Sequence, residues 1–173
     1  MPQNLEIKAR ITDRDQSRTL AKNLGAVSAG EIVQTDTYFT VPSGRLKLRE
    51  FDDGTGELIF YDRPEESLQR MSTYQIYPTH DAAKLRAVVS EALGVMVVVK
   101  KSRFLYTWKN ARIHLDRVER LGDFLEFEVL VTDGCQQAED VMRELRKHFS
   151  VNDMTIVRCS YSDLVEKNDR RLP

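Results

Sequence analysis

Charged and apolar side chains alternate along five short segments of this chain, and this alternation restricts the fold more than any other feature. Successive side chains of a β-strand point to opposite faces of the sheet. Each segment is therefore predicted to be a strand with one apolar face and one ionised face. The ionised sets are Glu6, Lys8 and Arg10; Arg45, Lys47 and Arg49; Lys101 and Arg103; Arg112, His114 and Asp116; and Glu126 and Glu128.

Turn-forming residues separate these segments and define their neighbours. Pro42-Ser43-Gly44, Asp52-Asp53-Gly54-Thr55-Gly56 and Lys109-Asn110 predict short connections between adjacent strands. Strands are predicted over 5–11, 33–41, 45–51, 57–63, 71–77, 95–109 (as one strand or two), 111–119 and 124–132. Because most of these strands follow one another through tight turns, we expect an antiparallel sheet that is strongly curved or closed.

Four helices are predicted to flank the sheet. Asp13 and Asp81 are suitable N-caps for two helices, which end at Gly25 and Gly94. Two further helices are predicted over 136–149 and 161–166. The fold class is therefore α+β, and residues 1–173 are predicted to form one domain with a short polar tail at 167–173.

The overall composition argues against two classes of partner. Lys and Arg total 26, Asp and Glu total 27, and the net charge is −1. Proteins that coat nucleic acid or anionic membranes carry an excess of positive charge. We expect a small-molecule ligand, no nucleic acid polymer and no membrane, and the sequence leaves open a monomer or a homodimer.

The two cysteines and the apolar stretches point to a cytoplasmic location. Cys135 and Cys159 are far apart and match no metal-ligand spacing, as is usual in a reduced protein. The longest apolar stretch, Val95–Val99, is the size of a buried strand and too short to span a bilayer.

The charges are sorted between strands, which an ordinary exposed sheet face does not require. Any single alternating strand is explained by an antiparallel sheet with one solvated face. Across the set, however, some strands carry only cations on that face and another carries paired carboxylates. Like charges side by side repel, so an anion is expected among the cations. A polyphosphate would satisfy Lys and Arg, and the carboxylates would hold Mg²⁺ or Mn²⁺ through oxygen ligands.

An ordered series of motifs resembles one known family. Asn4-Leu5-Glu6-Ile7-Lys8 is similar to its Glu-x-Glu-x-Lys signature, with Asn4 in place of the first Glu. Further matches lie at 36–38, 45–50, 100–103, 115–118, 122–128 and 160–164. The chain thus resembles the CYTH, or triphosphate tunnel metalloenzyme, family, which includes thiamine triphosphatases, inorganic triphosphatases and class IV adenylyl cyclases.

The resemblance implies a closed or nearly closed antiparallel barrel of about eight strands around a charged tunnel, and it assigns roles to the charged residues. Phosphate ligands would be Lys47, Arg49, Lys101 and Arg103; the strand pattern adds Arg45, and Arg63 or Asp62 lies where the family often has a lysine. Metal ligands would be Glu126 and Glu128, with Glu6 and Asp116 as further candidates. Lys8 and Tyr38 would act near the attacking water, although Tyr38 could equally be an aromatic residue that packs in the barrel wall. His114 is expected to be a polar lining or surface residue rather than a catalyst, and Arg112 and Arg10 are expected to be lining or rim residues.

Three functions remain open at this stage. The first is a metal-dependent hydrolase of inorganic, thiamine or nucleoside triphosphate. The second is a class IV adenylyl cyclase that converts ATP to cyclic AMP and pyrophosphate. The third is a non-catalytic binder of triphosphate or polyphosphate, which Asn4 favours because a neutral amide removes one anionic metal ligand. A purely structural domain would leave the sorted charges unexplained.

Overall fold

Eight strands and four helices make up the described part of the chain, residues 3–62, 70–132 and 135–169 of a computed structural model. In chain order they are β1 (Gln3–Arg10), α1 (Arg14–Asn23), β2 (Val27–Phe39), β3 (Arg45–Phe51), β4 (Gly56–Asp62), β5 (Arg70–Thr79), α2 (Ala82–Leu93), β6 (Val95–Trp108), β7 (Ala111–Val118), β8 (Gly122–Leu130), α3 (Cys135–His148) and α4 (Tyr161–Asp169).

The strands close into a single antiparallel barrel. Their order around the barrel is β1-β5-β4-β3-β2-β6-β7-β8, and β8 pairs with β1 so that Ile7 lies opposite Phe127. All eight neighbouring pairs are antiparallel. The prediction of an α+β fold built on a closed antiparallel barrel is therefore confirmed.

Local capping explains where the first two helices begin and end. The Asp13 carboxylate accepts a hydrogen bond of 2.8 Å from the backbone N–H of Gln16, and Asp81 accepts one of 3.0 Å from Lys84. Gly94 follows α2 with a φ of 75°, a conformation that glycine adopts without strain. Among the described residues, no helix is both long and apolar enough to cross a membrane.

The main hydrophobic core lies outside the barrel. The outward side chains of β1, β7 and β8 pack under α1 and α3, whose buried faces include Ala21, Met142 and Leu145. The barrel residues in this cluster are Leu5, Ile7, Tyr106, Ala111, Ile113, Leu115, Leu125, Phe127 and Val129. Because helices cover these outer faces, the ionised faces of the same strands point into the barrel.

A second apolar cluster fills one end of the barrel interior. Helix α4 packs against this end and contributes Tyr161 and Val165. The barrel side chains of this cluster are Tyr38, Ile59, Tyr61, Val97, Val99, Val118 and Phe124. The interior is thus closed at the α4 end, so the charged space is a pocket with its mouth at the opposite end.

The largest differences from the predicted element boundaries lie at the start of β2 and the end of α4. Strand β2 begins at Val27 rather than at residue 33, since its first half pairs with the second half of a single long β6. Ser28, Ala29 and Gly30 have weak strand propensity, but tertiary pairing outweighs it through a bulge between Ser28 and Gly30. Helix α4 continues to Asp169, three residues into the predicted tail.

Truncating Leu145 tests how strongly α3 stabilises the barrel. This side chain is fully buried against the outer sheet face, so Leu145→Ala should lower the free energy of unfolding by about 2–5 kcal/mol. Urea denaturation measures the change. The control Glu139→Ala, at an exposed position of the same helix, should change it by less than about 0.5 kcal/mol. Equal effects of the two substitutions would contradict this packing.

Candidate active site

A cavity of about 290 Å³ lies inside the barrel and receives side chains from all eight strands. The predicted site residues that it brings together are Glu6, Lys8, Tyr38, Lys47, Arg49, Lys101, Arg103, Glu126 and Glu128. Towards the mouth the cavity is lined by an apolar rim of Ile32, Phe51, Ile76 and Leu105, with Glu57 and Arg112 at the same end. An eight-stranded barrel has room for one small ligand.

One wall of the cavity is cationic. Lys47 on β3 and Lys101 on β6 donate to the Asp36 carboxylate at 3.0 and 2.7 Å, and Arg49 donates to both of its oxygens at 2.9 and 3.1 Å. We call Lys47, Arg49 and Lys101 the cationic wall. Three basic side chains share one carboxylate, which leaves an excess of positive charge on strands β3, β2 and β6.

Burial and mutual charge shift the pKa values in the cationic wall. Burial would raise the pKa of Asp36, but Arg49, Lys101 and Lys47 outweigh it and hold this pKa well below its usual range. Burial lowers the pKa of Lys101 to about 7; Asp36 opposes the shift, and the nearby cations reinforce it. The neutral amine of Lys101 is therefore poised to take up a proton when further negative charge arrives.

Asp116 fixes the orientation of Arg103. Both Asp116 oxygens accept hydrogen bonds from the Arg103 guanidinium at 2.6 Å, and the Tyr161 hydroxyl donates to Asp116 at 2.8 Å. Asp116 has no exposed surface and does not line the cavity, whereas Arg103 does and also donates to Glu126 at 2.9 Å. Asp116 is a further metal-ligand candidate from the sequence, but unlike Glu126 and Glu128 it does not line the cavity.

The opposite wall is acidic and is formed by Glu6 on β1 with Glu126 and Glu128 on β8. Around the eight-stranded barrel, β1 lies directly across from β2, and β8 lies directly across from β3. The acidic wall therefore faces the cationic wall. Ser72 donates a hydrogen bond to Glu6, and Arg112 lies 2.8 Å from Glu128. The two walls enclose one shared space.

The carboxylates of the acidic wall on β8 are ionised. Burial would raise the pKa of Glu126, but the charge of Lys8, then His114 and Arg103, holds it well below the usual range. The pKa of Glu128 is also lowered, since His114 and Arg112 outweigh the effect of burial. Ionised carboxylate oxygens in a confined space fit a divalent cation.

His114 lies between the two β8 carboxylates. Its Nδ1 is 3.6 Å from Glu126 and 3.8 Å from Glu128, and a ligand atom from each of the three residues lies within 4.8 Å of the others. The sequence predicted only that His114 is a polar lining or surface residue, because alternation identifies a face without identifying its neighbours across strands.

Lys8 and Tyr38 both line the cavity near its closed end. The Lys8 ammonium lies 4.1 Å from the centre of the Tyr161 ring, 3.4 Å from the carbonyl oxygen of Cys159 and 3.8 Å from Glu126. Tyr38 packs in the apolar cluster, and the Lys47 ammonium lies 5.6 Å from its ring centre. The catalytic roles of Lys8 and Tyr38 stay predictions.

Arg45 was expected among the phosphate ligands, but it lies outside the set of cavity-lining residues. Its guanidinium forms a two-point contact with Asp163 at 2.9 and 3.1 Å and donates to the Ser160 hydroxyl at 3.1 Å. These contacts join β3 to the first turn of α4. Arg63, the remaining predicted phosphate ligand, lies outside the described residues.

Asp36 and Tyr161 are site residues to which sequence reasoning gave no role. Asp36 shares a strand face with Gln34 and Tyr38, so the same alternation that identified the cations also places it inside the barrel. Tyr161 enters from a helix that is distant in sequence, and no local pattern indicates this.

Replacing Arg45 distinguishes a structural contact from a phosphate ligand. Arg45→Gln should lower the free energy of unfolding by roughly 1–3 kcal/mol, because it leaves a half-buried Asp163 without its charged partner. The affinity for inorganic triphosphate, measured by calorimetry, should fall less than about 3-fold. Arg49→Gln, in the cationic wall, should lower it at least about 10-fold. A larger loss of affinity in Arg45→Gln would restore the original expectation.

Comparison with known proteins places this arrangement in a family. The CYTH domain matches residues 2–155. A protein named "Putative adenylate cyclase" from Methanocaldococcus jannaschii is 26% identical over 170 residues, which cover 92% of this chain and 97% of that protein.

Two solved structures share the fold. The PH1012 protein of Pyrococcus horikoshii superposes with a TM-score of 0.84 at 23% identity, covering 93% of this chain and 98% of that one. A Hippeastrum protein is described as a putative adenylyl cyclase with a dominant triphosphatase activity. It superposes with a TM-score of 0.66 at 12% identity, covering 100% of this chain and 98% of that one. With the family match spanning most of its length, this chain belongs to the CYTH domain family.

Proposed function

We propose that this chain is a metal-dependent triphosphatase that binds its substrate between the cationic and acidic walls. The observation that carries the proposal is the enclosed cavity itself, in which an excess of positive charge faces ionised carboxylates. A triphosphate with a divalent cation has the complementary distribution of charge, since its oxygens match the first wall and its cation matches the second.

The cationic wall would bind the phosphate oxygens. Lys47, Arg49 and Lys101 converge on Asp36, which holds them in position before any substrate arrives. Arg103 is held equally firmly by Asp116, so its free edge points into the cavity. Such preorganised cations stabilise the charge that develops in phosphoryl transfer without reorganising at the moment of reaction.

The acidic wall would hold the cation, Mg²⁺ or Mn²⁺, through Glu126 and Glu128 with Glu6 beside them. When bound there, a divalent cation neutralises phosphate oxygens and polarises the phosphorus centre. Asn4 also lines the cavity, and its buried Oδ1 has no hydrogen-bond partner among the described residues. As a neutral ligand it adds no anionic charge, which fits one cation better than two.

Lys8 would orient the attacking water, with Tyr38 beside the terminal phosphate. The Cys159 carbonyl and the Tyr161 ring hold the Lys8 ammonium at the closed end of the cavity. Phosphoryl transfer proceeds through a loose transition state, so positioning of water and neutralisation of charge matter more than a strong base. The low pKa of Glu126 is therefore compatible with hydrolysis.

The apolar rim supports a substrate with an organic group. A triphosphate bound between the walls would project any organic substituent towards Ile32, Phe51 and Leu105 at the mouth. Thiamine triphosphate or a nucleoside triphosphate would bury apolar surface there, whereas inorganic triphosphate would not.

A class IV adenylyl cyclase is the second candidate, and the name of the Methanocaldococcus relative favours it. The same clamp would allow the ribose 3′-oxygen of ATP to attack the α-phosphorus and expel pyrophosphate. The Hippeastrum protein of the same fold is named a putative adenylyl cyclase and is described as having a dominant triphosphatase activity. A non-catalytic triphosphate binder is the remaining alternative, because Asn4 replaces an acid.

A substrate panel tests these proposals directly. Inorganic triphosphate, thiamine triphosphate and ATP are incubated with the protein and Mg²⁺ or Mn²⁺, and both phosphate and cyclic AMP are measured. We expect metal-dependent release of phosphate without cyclic AMP. Cyclic AMP as the main product from ATP would establish the cyclase instead, and tight binding without any product would establish the binder.

Removing the carboxylates of β8 tests the cation site. A ligand that binds only the folded state stabilises it, by about 2.7 kcal/mol at a concentration 100 times Kd, and therefore raises its Tm. Triphosphate with Mn²⁺ should raise the Tm of the wild type more than triphosphate alone. In the double variant Glu126→Gln, Glu128→Gln the metal-dependent part of this rise should vanish. An undiminished metal effect would exclude these ligands.

The lowered pKa of Lys101 makes triphosphate binding depend on pH. Phosphate oxygens raise the pKa of Lys101 from about 7, so at pH 8, where about 90% of this amine is neutral, binding should take up close to one proton. At pH 6 the amine is already charged and uptake should be small. Calorimetry in two buffers of different ionisation enthalpy measures the uptake.

The variant Lys101→Gln provides the control. It removes the amine of Lys101, while any proton uptake or release by the triphosphate itself remains in the measured value. The difference in uptake between wild type and variant should approach one proton at pH 8. No difference at either pH would contradict the assignment.

A further inference from the structure

We propose that His114 is a nitrogen ligand of the divalent cation, and that the site consequently prefers Mn²⁺ to Mg²⁺. The inference rests on the cation site of the proposed function but concerns a residue that the family signature does not include. It identifies both a ligand and the metal that the ligand selects.

His114 is buried, and its Nδ1 is unsatisfied. The residue is only 3% exposed and lines the cavity from β7. Its Nδ1 has no hydrogen-bond partner among the described residues, since both nearest carboxylate oxygens lie beyond hydrogen-bond distance. A buried polar atom without a partner is rare in a folded protein and calls for a ligand or a bound ion.

The spacing of the three groups suits one cation. Two ligand atoms that each lie about 2.1 Å from the same ion are about 3 Å apart when adjacent and about 4.2 Å apart when opposite. The separations of Nδ1 from Glu126 and Glu128, 3.6 and 3.8 Å, fall in this interval. Both distances are too long for hydrogen bonds and suitable for a ligand that shares one ion with each glutamate, and the ligand atoms of all three residues lie within 4.8 Å of one another.

The chemistry of the donor set decides between the two metals. Mg²⁺ is a hard cation that binds oxygen ligands and water, and it gains little from an imidazole. Mn²⁺ accepts carboxylate oxygens together with an imidazole nitrogen, as in the di-manganese sites that helix bundles build from Glu and His. A set of two carboxylates and one histidine nitrogen therefore favours Mn²⁺.

An alternative role for His114 is a protonated ion pair with Glu126 and Glu128. The two roles predict opposite effects of substitution. If His114 is a ligand, removing it weakens Mn²⁺ binding. If it is a cation that neutralises the glutamates, removing it leaves the site more negative and strengthens the binding of any divalent cation.

The test uses wild type, His114→Gln and the matched control His80→Gln, in which an exposed histidine outside the cavity is replaced. MnCl₂ and MgCl₂ are titrated separately by calorimetry. We expect His114→Gln to weaken Mn²⁺ binding at least 10-fold and to change Mg²⁺ binding less than 3-fold, with no effect in His80→Gln.

Pulsed electron paramagnetic resonance provides a readout independent of activity. Mn²⁺ bound to the wild type, alone or with inorganic triphosphate, should show a hyperfine coupling to ¹⁴N. This coupling should persist in His80→Gln and disappear in His114→Gln.

Three outcomes would overturn the inference: no ¹⁴N coupling in the wild type, tighter Mn²⁺ binding in His114→Gln, or no Mn²⁺ binding to the wild type under either condition. These outcomes are separable from failure of the proposed function. Turnover of a triphosphate without ¹⁴N coupling refutes the ligand alone, whereas nitrogen-bound Mn²⁺ without turnover refutes the hydrolase alone.

Discussion

The ion cluster around Asp36 is the constraint on which the rest of the structure depends. One buried carboxylate contacts Lys47, Arg49 and Lys101 inside the barrel, where each unpaired charge would cost several kcal/mol. Such a cluster adds little net stability, so the fold must obtain its stability elsewhere. The apolar core outside the barrel, under α1 and α3, provides it and leaves the interior free for charge.

The same cluster explains why the cavity suits a triphosphate. With one acid for three cations, the wall is held in place yet remains short of negative charge. The acidic wall has the opposite character, and Arg103, on the same strand as Lys101, donates to Glu126 of that wall. Helix α4 closes one end through Tyr161, so a ligand entering at the mouth meets charge on both sides and hydrocarbon at the end.

Much of this could be predicted from alternation alone, because a period of two assigns each strand residue to a face whatever its partners. The charged faces of β3, β6 and β8 were identified in this way, and all three point inward. Alternation does not tell how far along the barrel axis a side chain lies, or which side chains on neighbouring strands it contacts. Arg45 was therefore grouped with Lys47 although α4 engages it, and His114 was not connected to Glu126. The first half of β2 was missed because its pairing with β6 is a long-range contact.

A crystal structure with Mn²⁺ and inorganic triphosphate, using anomalous scattering from manganese, tests the central claim most directly. We expect the manganese peak beside Glu126 and Glu128, and the triphosphate in contact with Lys47, Arg49 and Lys101 inside the barrel. Both ligands on the outer surface, with the interior cluster around Asp36 undisturbed, would contradict the claim.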